Sequence, residues 1–145
     1  MEQIVREMSE EMVQRIEEQR DWVKGHLPEE YKSVYDTSDD KLELLQEIID
    51  REFYKKTDTW ELQSLGITLG DALSQELDLE WVQVEDDYGI DPALRHKETS
   101  ILLFPLTMIS KRIEKDEQVD IKELFEGICN KVSEMVLDPD TKRKE

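Results

Sequence analysis

The hydrophobic periodicity of this chain changes at Leu79 and changes back after Pro105, and this constrains its folds more than any other feature. Up to Leu77 the apolar residues recur at steps of three and four, the spacing of one helix face. From Leu79 they crowd into short β-favouring runs joined by turn formers, and from Leu106 the helical step returns. The fold class is therefore α+β: N-terminal helices, a short three-stranded antiparallel β-meander, and two C-terminal helices packed on the sheet. At 145 residues this is one domain's worth of chain, with a core that needs no disulfide or metal staple. It divides into a helical region over 1–57, an α-β-β-β-α-α module over 58–137, and a tail over 138–145 expected to be disordered.

The first helix is predicted from Met1 to Lys24, with Ile4, Met8, Met12, Ile16 and Val23 as its stripe and Gly25 and Pro28 as its stop. A short turn is expected over 28–35. The second helix is predicted from Asp40 to Tyr54, with N-cap oxygens from Ser38, Asp39 and Asp40. The third runs from Thr59 to Leu77 behind an Asp58/Glu61 capping box. Gly66 and Gly70 sit inside this helix, each costing about 1 kcal/mol relative to Ala. A helix carries that cost where another backbone or a sheet lies tight against it. Strands are expected over Leu79–Asp86, after Pro92 through His96, and over Ser100–Phe104, the last a continuous apolar run of the kind covered on both faces. Asp120 and Glu123 repeat the capping-box spacing ahead of Ile121, Leu124, Phe125, Ile128 and Val132, a helix that ends before Pro139.

The 37 acids outnumber the 19 Lys and Arg by 18. Residues 58–98 hold 11 acids and 2 bases, net −9, while 1–57 carry −7 and 99–145 carry −2. A like-charged surface of this kind repels nucleic acid and anionic lipid and steers basic partners toward itself. No basic stripe with interleaved aromatics exists, so direct nucleic-acid binding is not expected. No 18-residue apolar run and no signal-peptide pattern occur, so no membrane contact is expected; with a single cysteine, the chain reads as cytoplasmic.

Motifs for chemistry are few. His26, His96 and Cys129 lack zinc-ligand spacing, and Cys129 lies on an apolar helix as a small hydrophobe. There is no nucleophile elbow, phosphate loop or dinucleotide fingerprint. Neither a metal nor another cofactor is expected. The acidic turn Glu85–Asp91 reads as hairpin chemistry, with Gly89 taking a positive φ and Asp side chains bonding local amides. Arg95, one of two bases in its segment, is expected to pair with one of the surrounding acids, such as Glu85 or Asp86 across the hairpin.

The residues Leu65-Gly66, Leu69-Gly70, Trp81-Val82, Val84-Glu85-Asp86, Tyr88-Gly89 and Asp91-Pro92-Ala93-Leu94-Arg95, with Phe104 to Arg112 (FPLTMISKR), resemble a small bacterial family known only as a domain of unknown function. The resemblance spans about Thr59 to Val136 and implies a cytosolic bacterial α+β protein with no established reaction. The residues themselves suggest a non-enzymatic module whose acidic β-hairpin face, with Trp81, Glu85, Asp86, Tyr88, Asp91 and Arg95, docks a basic protein partner. An alternative is a small-molecule binder or enzyme with a pocket near Arg95, Tyr88 and the Gly66/Gly70 helix. A third is a homo-oligomer pairing through the first helix, motivated by Met8, Met12 and Ile16.

Overall fold

Every other element is arranged around α3 (Thr59–Leu77), whose residues from Leu62 to Leu73 are buried on nearly all sides. A computed structural model describes residues 3–26, 35–97 and 99–138. Against α3 pack α1 (Glu10–Lys24), α2 (Ser38–Arg51), and α4 (Ser110–Glu114) with the 3₁₀ turn Pro105–Thr107 before it; α5 (Ile121–Val136) packs on both α2 and α3. The sheet holds β1 (Ile4–Arg6), β2 (Leu79–Asp86), β3 (Gly89–His96) and β4 (Leu102–Leu103) in that order, all antiparallel. The mixed α+β class agrees with the sequence reading, and so does a β2–β3 hairpin, although β3 begins at Gly89, four residues ahead of the expected Ala93, because the turn is confined to Asp87 and Tyr88.

Four details correct that reading. The sheet has a fourth strand: Ile4–Arg6 leaves the predicted first helix and pairs with Gln83–Glu85, because Ser9 caps the helix at Glu10 by accepting from the Met12 N–H. The run Ser100–Phe104 yields only the two-residue β4, at the sheet's edge; Phe104 and Leu102 pack on the outer cluster of Val82, Val84 and Ala93, and Leu103 packs on the main core. The C-terminal helices pack on helices rather than across the sheet, since Ile121 and Phe125 enter the main core with residues of α2 and α3. The Asp58/Glu61 box does not form: Asp58 turns back to accept from the Lys55 N–H at 2.6 Å.

Smaller shifts have local causes. Helix α2 is capped by Thr37, which accepts from Asp40, and stops at Glu52 in the left-handed conformation, two residues short of Tyr54. The box at α5 does form, with Asp120 accepting from the Glu123 N–H. The expected turn over 28–35 and the tail beyond Asp138 lie outside the described residues, apart from Tyr35.

The helical glycines explain how α3 is seated. A Cβ on Gly66 would stand 2.5 Å from the Pro105 and Leu106 carbonyl oxygens, and one on Gly70 would stand 2.5 Å from the Trp81 indole. Both positions are thus filled by the rest of the chain. The stripe of α1 is consumed in the same way: Met12 and Ile16 pack on Ile67 and Leu106, which leaves no bare stripe there to motivate self-pairing.

Candidate functional site

The pleat divides the six hairpin residues between two faces, because cross-strand partners share a face and neighbours alternate. Trp81 and Glu85 lie on the face toward α3, where the indole fills the space left by Gly70. Asp86, Asp91 and Arg95 lie on the opposite face with Val82, Val84 and Ala93. The register sets Arg95 against Glu80, and its Nε and terminal nitrogen both donate to Glu80 Oε1, at 2.9 and 2.6 Å. The expected pairing with a neighbouring acid forms, with Glu80 in place of Glu85 or Asp86, which sit opposite Ile90 and Gly89. Tyr88 stands at the turn, 95% exposed, beside Ile90 at 45%. Asp86 accepts from the Tyr88 N–H at 2.8 Å, and Gly89 has φ +128°, as the turn chemistry required.

Among the described residues, Arg95, Tyr88, Gly66 and Gly70 do not meet around one pocket. Tyr88 and Arg95 occupy opposite ends of the hairpin, and the glycine face of α3 is filled by Trp81 and the Pro105–Leu106 backbone.

Trp81 is held by a junction that sequence reasoning missed. Asp71 on α3 accepts from Arg20 on α1 (Nε to Oδ2 2.6 Å, terminal nitrogen to Oδ1 2.8 Å), from Trp81 Nε1 on β2 (3.0 Å) and from the Tyr35 hydroxyl (2.7 Å), which also lies 2.9 Å from Thr68 Oγ1. The hydrogen bond to Asp71 raises the Arg20 pKa, and burial followed by the Asp71 charge pushes the Tyr35 phenol up. Lys24 and Lys41 each lie 4.8 Å from the Tyr35 ring centre. Lys41 Nζ donates to Gln75 Oε1 at 2.8 Å, and burial lowers its pKa. With four donors on its two oxygens, Asp71 has its lone pairs occupied. It ties α1, α3 and β2 together.

Concavity occurs elsewhere. A cleft of about 1280 Å³ opens between α2 and the segment joining α4 to α5. Asp39, Glu43, Asp50 and Glu52 line one wall, and Asp116, Glu117, Asp120 and Glu123 line the other. Lys56 and Lys122 are its cations, so 2 − 8 leaves a net charge of −6. Leu42, Ile49, Ile113 and Val119 supply apolar surface between the walls. Gln46 ties the walls together, donating to the Val119 carbonyl at 3.1 Å and accepting from the Ile121 N–H at 2.8 Å. A Lys56–Asp116 ion pair bridges the two loops. The Tyr54 phenol in this cleft is held above its ordinary value by burial, then by Glu52 and Asp50. Among the described residues, no three His, Cys, Asp or Glu side chains are grouped to hold a metal ion. The cleft's carboxylates are spread along its walls rather than converging.

Cys129 is half-buried in α5, and burial pushes its thiol up, which keeps it protonated. Near the end of α1, Trp22, His26, Phe53 and Trp60 form an aromatic cluster, with Trp22 meeting His26 and Trp60 edge to face. Among the described residues, no helix is long and apolar enough to cross a membrane.

Comparison with known proteins adds family and fold. Residues 41–125 match the model of the family described as "Domain of unknown function (DUF3806)". A crystal structure from Bacteroides thetaiotaomicron VPI-5482, at 1.50 Å resolution, superposes with a TM-score of 0.73 at 17% identity. It covers 89% of this chain and 48% of that one, so the chain spans about half the length of this structural relative. A likeness at that identity is one of fold. No curated protein matches the chain.

Proposed function

Because the chain belongs to the DUF3806 family, whose description carries no activity, its function is read from its own surface, and we propose that it is a non-enzymatic module that docks a basic protein segment. The observation that carries this reading is the cleft between α2 and the α4–α5 segment, with its net charge of −6 over an apolar floor. About 1280 Å³ exceeds the roughly 300–1,000 Å³ of small-molecule pockets and suits an extended peptide or a helix. Dispersed carboxylates match several Lys or Arg side chains in series, while Leu42, Ile49, Ile113 and Val119, buried in the main core, close the cleft beneath them. The overall charge of −18 adds long-range steering toward such a partner.

A second reading keeps the hairpin tip as the docking surface. It is favoured by the 95% exposure of Tyr88, flanked by Glu85, Asp86 and Asp91. Trp81 and Arg95 drop out of that surface, being committed to Asp71 and Glu80.

Fluorescence anisotropy with a labelled amphipathic Lys/Leu peptide separates the readings. Glu43→Lys with Asp50→Lys is expected to weaken binding at least about tenfold, the loss of roughly 1.4 kcal/mol. Asp86→Lys with Asp91→Lys is expected to leave it unchanged. Loss confined to the hairpin variant transfers the function to the tip, and an absence of binding by the parent chain refutes both.

A further inference from the structure

Helix α5 presents a face whose composition the monomer does not explain. A groove of about 520 Å³ runs along it beside α4, lined by Arg112, Leu124, Gly127, Ile128 and Lys131 among others. Gly127 is exposed at the middle of the helix, with nothing within 4 Å of the place a Cβ would occupy. Glycine is among the poorest helix formers. Gly66 and Gly70 have close neighbours that require it, and Gly127 has none among the described residues.

We propose that the missing neighbour is a second copy of this chain, its α5 crossing the first antiparallel about a two-fold axis at Gly127. Charge complementarity carries the assignment. Glu123 and Lys131 stand four residues before and after Gly127. Eight residues separate them, about 12 Å along the helix, too far to pair within it. About an antiparallel axis at Gly127, each Glu123 faces Lys131 of the partner subunit, so one helix face supplies both halves of two equivalent ion pairs. Half-buried Leu124 and Ile128 line one side of the crossing, and the bare backbone of Gly127 admits the approach of about 8 Å at the tight end of helix packing.

Approach is less opposed electrostatically on this helix than on α2. It carries Glu123, Glu126 and Glu134 against Lys122 and Lys131, net −1, whereas α2 carries five acids against two bases. A crossing near −50° splays the positions seven residues out, which keeps Asp120 and Glu134 of opposite copies apart. The pairing shares Glu123 with the cleft wall but is tested apart from peptide docking, since it is read as mass rather than binding.

Sedimentation equilibrium on the full chain tests it, across micromolar to millimolar protein at roughly 150 mM salt, where the screening length is about 8 Å. The parent chain is expected to dimerise. Glu123→Lys and Lys131→Glu each place like charges at both contacts and are expected to weaken the dimer at least about tenfold. The combined Glu123→Lys/Lys131→Glu variant is expected to restore it, an outcome a merely structural effect would not produce. Gly127→Leu is expected to abolish dimerisation with the monomer still folded. A parent chain that stays monomeric throughout, or a dimer indifferent to the single reversals, overturns the proposal.

Discussion

Alanine in place of Gly66 and in place of Gly127 should change stability with opposite sign, although both positions are interior to helices. Each replacement gains about 1 kcal/mol of helix propensity. At Gly66 the new Cβ would lie 2.5 Å from two backbone carbonyl oxygens, Pro105 and Leu106. They cannot turn aside as a side chain would, since the Pro105 carbonyl accepts the Met108 N–H in the 3₁₀ turn. Relief therefore requires α3 and that turn to separate. Overpacking of a close-packed core costs roughly 1–3 kcal/mol, and contact with fixed backbone belongs at the upper end. The net for Gly66→Ala is a loss of about 2 kcal/mol, a fall in Tm of roughly 4–8 °C for a chain of this size. Gly127→Ala meets nothing and should raise the monomer's Tm by roughly 2–4 °C. Urea unfolding followed by tryptophan fluorescence, at protein concentrations low enough to exclude association, measures both. A Gly66→Ala variant as stable as its parent would refute the packing account of α3.

Other expectations follow from the same contacts. Asp71→Ala strands the Arg20 guanidinium and the Trp81 and Tyr35 donors and should cost about 3 kcal/mol, with a shift in Trp81 emission; an unchanged urea midpoint contradicts the junction. The raised Tyr35 phenol means that the folded state holds its proton more tightly than the unfolded chain. Its contribution is fully present below the ordinary tyrosine value of about 10 and is lost as pH rises beyond it. Tyr35→Phe should flatten the alkaline fall in a pH series of melts. Arg95→Ala removes a partly exposed pair with Glu80 and should cost under about 1 kcal/mol while leaving peptide binding intact. Lost binding there would restore Arg95 to the functional surface.

What the sequence disclosed was local. The stripe Leu62, Leu65, Leu69, Leu73 and Leu77 marked the body of α3, which starts at Thr59 as expected although the Asp58/Glu61 box does not form, and Asp120 marked the start of α5. Strand β1 was hidden because Ile4 continues the helical stripe of Met8 and Met12, and its pairing with Val84 lies far off in sequence. Trp81 read as an interface anchor because its commitment depends on Gly70 and Asp71, ten or so residues away on another element. Gly70 demanded a large neighbour, and pairing that demand with Trp81 would have found it. The cleft was illegible for a related reason. Its acids come from 39–52 and 116–123, so counting charge by segment placed the weight on 58–98 and divided the cleft's acids between two segments of smaller net charge.

Mapping the bound peptide on the full chain tests the docking reading most directly. Backbone amide shifts recorded while titrating the unlabelled Lys/Leu peptide should move together along Asp39–Glu52 and Asp116–Glu123, with Tyr88 and its neighbours still. Shifts confined to the hairpin tip, or scattered evenly over the acidic surface, would contradict a cleft built for a basic segment.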